Sequence, residues 1–302
     1  MNEKIHNFFL SRKDINFNTM KLLNSVLKKM SINDEESRSI VENLDILSSY
    51  NIILDGDMGI DCHVDSSDDL SVIRYFLGSS ATEIDAAHEF GHLLVDVFDR
   101  GNRPEEFDEV LDIVQQRLLK RKSEIREMLQ GFSCEVYDDY KEHEDEFYQW
   151  AQMNPGIKKE FFRRHPDAID EDFEEMLKLN FFANHTCANQ NAMNYNKISN
   201  IIDCIFFNDG NFYESFGVDE FFPVLSMHDD EYFDNDPAGC NQVSFEEQFA
   251  DYVALRLYGD KLGFATDILH DILGEEWFEM MDKHYKKITS KISSKGKELV
   301  KK

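Results

Sequence analysis

The chain has 302 residues, enough for one large domain or two small ones, and its 25 phenylalanines can fill a sizeable core. Its 60 acidic and 32 basic residues give a formal charge of -28. Such a charge repels nucleic-acid phosphates and anionic membranes, so a nucleic-acid-binding role is not expected. Two explanations of the charge are open, namely solubility and attraction of basic partners or basic peptide segments.

Cysteine usage and the N-terminal segment bear on location. The five cysteines are scattered, odd in number and without a C-x-x-C pair, which argues against a disulfide scaffold and a thiolate zinc site. The N-terminal segment lacks the apolar region of a secretory signal. No apolar run approaches the roughly 18 residues that span a bilayer. The sequence therefore predicts a soluble cytoplasmic protein, or one exported by a signal-peptide-independent system, without a membrane span.

Apolar residues recur with helical spacing along most of the chain, starting with residues 15–48. Two short strands are expected within residues 50–64, around a turn at Asp55-Gly56-Asp57, and a third strand at 71–77. These elements predict a mostly α fold with a small β-sheet, an α+β arrangement.

A candidate capping box follows the sheet, with Ser80 as N-cap and Glu83 three residues on, and begins a helix that ends near residue 100. A proline and a glycine bound the next predicted helix, 104–130. Residues 183–243 have a mixed pattern of loops and short helices. The remaining segments with helical spacing are 135–182, 244–260, 264–273 and 275–292.

The helix after the sheet contains His88-Glu89-Phe90-Gly91-His92, an H-E-x-x-H motif. Residues four apart on an α-helix differ by about 40° around its axis, so both imidazoles project from one face and can share one zinc ion. Glu89 can reach a water activated by the metal but is angled away from direct ligation, as a general base should be. The alternative is a pair of core histidines, but burying these polar groups is costly unless they share a partner.

A zinc site needs a third protein ligand, and the candidates are Glu247, Asp99, Asp96 and Glu246. Glu247 and Asp251 lie four apart on a predicted helix, so both carboxylates share one face. Glu247 can then ligate the metal while Asp251 accepts a hydrogen bond from a ligand imidazole. The many apolar neighbours of Glu247 imply that this helix is buried, which favours Glu247 over the others.

The H-E-x-x-H motif together with the downstream E-x-x-A-D of Glu247–Asp251 resembles the gluzincin group of zinc metallopeptidases, and similar pairings occur in lethal-factor-like toxins. The resemblance covers only the two motif helices. It implies a zincin-like active-site helix on which His88 and His92 ligate one zinc ion and Glu89 is the catalytic base. It also implies Glu247 as the third ligand and Asp251 as a residue that supports a ligand.

Two features depart from the usual pattern of this group. The two motifs are widely separated, so residues 101–243 are expected to form a large, mainly helical insertion. Residues 1–100 then supply the N-terminal helices, the small sheet and the motif helix, while 244–302 supply the third-ligand helix and the C-terminal helices that complete one catalytic core. In addition, no motif fixes a residue that stabilises the oxyanion, for which Tyr232, His228 and Tyr252 are candidates.

The sequence therefore predicts a zinc metallopeptidase that hydrolyses peptide bonds in protein or peptide substrates through metal-activated water, with Glu89 as general base. One alternative is an acidic helical binding protein that retains a structural, non-catalytic metal site and cleaves nothing. Another is an aspzincin-type arrangement, in which Asp99 replaces Glu247 as the third ligand.

Overall fold

The computed structural model describes residues 3–13, 15–56, 62–67, 69–78, 81–128, 155–164, 169–170, 240–262 and 264–300, together with positions 173, 198, 201, 202, 204 and 205. Within these residues, four helices precede the sheet. The helices are α1 (Glu3–Leu10), α2 (Phe17–Asn33), α3 (Glu35–Glu42) and α4 (Leu44–Ser48). The helical stretch predicted at 15–48 is confirmed, and caps divide it. Asn16 accepts hydrogen bonds from the first backbone N–H groups of α2, and extended Asp34 ends α2 and caps α3 in the same way.

Three strands form the small sheet, which confirms the mostly α fold with a small β-sheet. They are β1 (Ile52–Asp55), β2 (Cys62–Ser66) and β3 (Ile73–Leu77), in the order β1-β3-β2. β1 is parallel to β3 and β2 is antiparallel to it. Alternate residues of β3 are buried (Ile73, Tyr75 and Leu77), and the Tyr75 hydroxyl donates a hydrogen bond to the carbonyl of Ala86 in the next helix.

The helix that follows the sheet is α5 (Glu83–Phe98), and most of its side chains are buried. Its N-cap is Thr82, whose hydroxyl accepts from the backbone N–H groups of Ile84 and Asp85, while the Asp85 carboxylate accepts from the Thr82 N–H. The predicted capping box of Ser80 and Glu83 is therefore wrong, because an equivalent pair lies two residues further on. Glu83 instead binds Ser25 and Lys261.

Part of the predicted insertion is described. The helix α6 (Phe107–Lys120) begins three residues later than its proline suggested, and residues 122–128 are also helical. The helix α7 (Pro155–Arg164) lies within residues 135–182, for which helical spacing was predicted. Nearly all of 183–243 lies outside the described residues, as does the glycine expected to end the 104–130 helix. The division of the chain into three segments stays a prediction.

The C-terminal helices are α8 (Cys240–Tyr258), α9 (Phe264–Leu273) and α10 (Glu275–Val300), which confirms the helical segments predicted there. α8 packs along α5, and the two backbones nearly touch at Gly91. A Cβ atom at Gly91 would lie 2.6 Å from the Cα atom of Ala250, so only glycine fits at this crossing. Among the described residues, no helix combines the length and apolarity needed to cross a membrane.

Replacing Gly91 with alanine tests this crossing. We expect Gly91→Ala to lower the free energy of unfolding by about 1–3 kcal/mol, because the new methyl group forces α5 and α8 apart. Urea unfolding followed by circular dichroism measures the change. The matched control is Gly156→Ala in α7, where a new Cβ atom would meet nothing within 4 Å. Wild-type stability in Gly91→Ala would contradict the close crossing.

Candidate metal centre

The crossing of α5 and α8 brings three side chains together from two distant parts of the chain. His88 and His92 face α8 from successive turns of α5, and Glu247 faces them from α8. The two Nε2 atoms lie 3.1 Å apart. Oε2 of Glu247 lies 3.2 Å from Nε2 of His88 and 3.3 Å from Nε2 of His92. The three predicted ligands therefore form a nearly equilateral triangle of donor atoms.

This triangle fits a zinc ion. Ligand atoms at about 2.0–2.1 Å from a tetrahedral zinc are about 3.3–3.4 Å from one another. The observed separations of 3.1 to 3.3 Å are close to that spacing. Two imidazole nitrogens and one carboxylate oxygen are also donors that zinc commonly takes in proteins. Within the described residues, these three side chains could hold one metal ion between them.

Asp251 orients one of the histidines. Nδ1–H of His88 donates a hydrogen bond to Oδ1 of Asp251, 2.9 Å away. In the neutral imidazole, this bond places the proton on Nδ1 and leaves the lone pair on Nε2, which faces Glu247 and His92. Asp251 lies one helical turn after Glu247 and is only 1% exposed, so the orienting group is itself held within the core. The structure thus gives Asp251 the position that the sequence predicted.

The centre is strongly anionic. Burial lowers the pKa of His88, but the charges and hydrogen bonds of Asp251 and Glu247 outweigh burial and raise the pKa to about 10. Burial also lowers the pKa of His92, and Glu247 reverses this so that the net shift is upward. Without another cation, the imidazoles take up protons to balance the nearby carboxylates. A divalent cation can replace those protons, which makes metal binding at this centre dependent on pH.

Glu89 supplies a further buried carboxylate beside the histidines. It is 4% exposed, and its Oε2 atom has no hydrogen-bond partner in the part of the chain that the structure describes. Burial raises the pKa of Glu89, while the charges of His88 and His92 lower it in part. A buried carboxylate oxygen without a hydrogen-bond partner is costly in a core, and this one lies beside the triangle of candidate metal ligands.

The structure directs Asp99 elsewhere. This residue is the C-cap of α5, and its buried carboxylate faces α10. There it contacts Lys287 at 3.0 Å, His284 at 3.1 Å and the ammonium group of Lys291. The Asp99 carboxylate therefore pairs with these three side chains and not with His88 or His92. Asp96 and Glu246 are partly exposed and do not join the three-ligand group.

The candidate oxyanion residues gain no support. The Tyr252 hydroxyl donates to Oδ1 of Asp282 at 3.1 Å and accepts from Arg256 at 2.8 Å. The Tyr252 hydroxyl therefore belongs to an ion-pair cluster between α8 and α10, and its role as an oxyanion donor stays a prediction. His228 and Tyr232 lie outside the described residues.

A buried chain of hydrogen bonds beside Glu247 was not predicted from the sequence. Nε1–H of Trp277 donates to the Gln248 side chain at 2.8 Å, and Gln248 donates to Oγ of Ser244 at 3.0 Å. Ser244 in turn donates to the carbonyl of Cys204 at 2.6 Å. The chain fixes the rotation of α8 about its axis and so the direction of Glu247. The spacing of Ser244 and Gln248 on one helix face was the available signal, but their partners are distant in sequence.

Comparison of the chain with protein-family models, with curated proteins and with solved structures found no match in any of the three. No relative therefore assigns a role to the residues of this centre. The functional argument rests on the geometry and chemistry described above.

Ligand variants test the composition of the centre. We expect His88→Ala and Glu247→Ala to lose stoichiometric zinc, because each removes one corner of the triangle. Asp99→Ala should keep zinc but unfold at a lower temperature, because two lysines lose their buried counter-charge. Zinc content by atomic absorption and thermal unfolding give the two readouts. Loss of zinc in Asp99→Ala with retention in Glu247→Ala would establish the aspzincin-type arrangement instead.

The role of Asp251 can be measured separately. Asp251→Asn keeps the shape and an acceptor oxygen but removes the charge that fixes the His88 tautomer. We expect zinc affinity to fall about 10- to 100-fold, measured by competition with a chromophoric chelator. Asp282→Asn, on the far side of Tyr252, is the matched control and should leave the affinity unchanged. Equal zinc affinities of wild type and Asp251→Asn would contradict the orienting role of Asp251.

Proposed function

We propose that this protein is a zinc-dependent metallopeptidase. The observation that carries the proposal is the convergence of His88, His92 and Glu247 on one point, with the buried carboxylate of Glu89 beside them. The resemblance of the two motifs to those of gluzincin peptidases supports the same reading. Each residue of the pattern then has a distinct task.

Zinc held by the two histidines and Glu247 would polarise a peptide carbonyl and make water a stronger acid. Glu89 accepts a proton from the attacking water and returns it to the nitrogen of the leaving amine. Burial keeps bulk water from solvating the Glu89 carboxylate, and the raised pKa strengthens it as a base. Asp251 holds His88 in the tautomer that leaves Nε2 free to bind the metal.

The alternative is an acidic binding protein with a structural metal site, and the formal charge of -28 is the observation that motivates it. The donor set favours catalysis over this alternative. Structural zinc sites are closed by four protein ligands, whereas catalytic sites use three and keep one position open. The described residues offer three ligands, and His92 is the most exposed of them, with 18% of its side chain accessible. We therefore expect a peptide carbonyl to approach the metal from the side of His92.

Substitution of the proposed base separates metal binding from catalysis. We expect Glu89→Gln to bind one zinc ion per chain and to cleave peptides about 10²- to 10⁴-fold more slowly than wild type, because the proton acceptor is gone. Hydrolysis of a fluorogenic random peptide pool measures the rate. Glu109→Gln on the exposed face of α6 is the matched control and should keep full activity.

Three results would count against the peptidase. Absence of stoichiometric zinc from purified wild type would contradict the proposed metal centre. Equal rates in wild type and Glu89→Gln would remove the proposed base. The third result is that zinc-loaded wild type cleaves no peptide pool but binds a basic partner, and that Glu89→Gln binds this partner with the same affinity. This result would establish the binding protein.

A further inference from the structure

The open side of α5 is a narrow stripe of polar residues. Of its 16 residues, 12 are buried, and beyond the first residue only Asp85, His92 and Asp96 are partly exposed. Asp96 follows His92 by one helical turn, about 40° around the axis and about 6 Å along it. Helical side chains lean toward the helix N-terminus, so the Asp96 carboxylate leans back toward His92. The stripe therefore places an accessible negative charge directly beside a proposed metal ligand.

Asp96 differs from the other acidic residues of α5 because they have tasks within the fold. Glu83 binds Lys261 and Ser25, and Asp85 completes the capping box with Thr82. Glu89 lies within the metal centre. Asp96, by contrast, forms no hydrogen bond or ion pair with any residue that the structure describes, and it contributes to no cap.

Asp96 lies one helical turn from a centre that holds several buried carboxylates. Glu89, Glu247 and Asp251 are buried carboxylates in the adjacent centre, and a bound divalent zinc offsets only part of their charge. Asp96 adds a further negative charge on the partly exposed stripe of α5, one helical turn from His92. A positively charged group at this place would be attracted by Asp96 and by the residual charge of the centre together.

We propose that Asp96 selects substrates with a lysine or arginine close to the scissile peptide bond. The inference rests on the proposed peptidase function and names its substrate class. An extended peptide advances about 3.3 Å per residue. The offset of about 6 Å along the helix axis between Asp96 and His92 therefore corresponds to one or two residues of a peptide whose scissile bond lies at the metal. Solubility alone would not require an unpaired carboxylate at one of the few accessible positions of this helix.

The test compares two fluorogenic peptide pools, one containing lysine and arginine and a second in which glutamine replaces both. The proteins are zinc-loaded wild type, Asp96→Asn and Asp112→Asn. Asp112 is the matched control, an exposed aspartate on α6, which packs against α9 and α10. We expect wild type to prefer the basic pool in kcat/KM. Asp96→Asn should reduce that preference about 1.5- to fivefold, as removal of one partly exposed ion pair does. Asp112→Asn should keep it.

Sequencing of the products locates the basic residue, which should lie one or two positions from the cleaved bond. The preference should also weaken as salt increases, because exposed charges are screened. Asp96→Asn must retain zinc and the wild-type circular dichroism spectrum. Loss of zinc in this variant would overturn the proposal, because Asp96 would then support the metal rather than recognise the substrate.

A binding measurement separates failure of this inference from failure of the peptidase function. Fluorescence anisotropy with zinc-loaded Glu89→Gln compares binding of the two pools, and Glu89→Gln/Asp96→Asn repeats the comparison. If wild type cleaves both pools equally, the selectivity of Asp96 is overturned while the peptidase stands. If wild type cleaves neither pool, the peptidase function fails. Preferential binding of the basic pool that disappears with Asp96→Asn would still support recognition by Asp96, and equal binding would overturn it.

Discussion

The close approach of α5 and α8 at Gly91 and Ala250 is the constraint on which the rest of the structure depends. A side chain larger than hydrogen at Gly91 would hold the two backbones apart. At this separation Oε2 of Glu247 lies within 3.3 Å of Nε2 of both histidines. The hydrogen-bond chain through Gln248 to Trp277 then fixes the rotation of α8. The geometry of the centre is therefore a consequence of backbone packing, and the metal would reinforce it.

Electrostatics at this crossing follow from burial rather than from the overall charge. The surface charge of the chain spreads over many solvated residues, but the carboxylates of Glu89, Glu247 and Asp251 lie in the core, where water cannot screen them. Asp251 and Glu247 hold the pKa of His88 well above its usual range. At the other end of α5, Asp99 meets Lys287 and Lys291 of α10, which neutralise it. In α5, therefore, the charge of Asp99 at the C-terminal end is neutralised, whereas the carboxylate charge around the middle of the helix is not.

Much of this arrangement could be predicted from the sequence because it depends on short spacings. Apolar periodicity identified the helices and the three strands, and the spacing of His88 and His92 placed both on one face. Glu247 was preferred for its apolar neighbours and for its spacing from Asp251. The failures have physical causes as well. Thr82 rather than Ser80 is the N-cap because two overlapping capping patterns compete. Tyr252 could be a candidate on sequence alone because Asp282, which accepts its hydrogen bond, lies on a helix distant in sequence.

X-ray absorption at the zinc edge tests the central claim most directly, that two imidazoles and one carboxylate share a single cation. Protein loaded with one zinc ion per chain should give a first shell of nitrogen and oxygen only, at about 2.0–2.1 Å, with the outer-shell scattering of two imidazole rings. In Glu247→Ala the shell should lose an oxygen ligand or lose the metal. A spectrum with sulfur ligands, with one imidazole or with none would contradict the account.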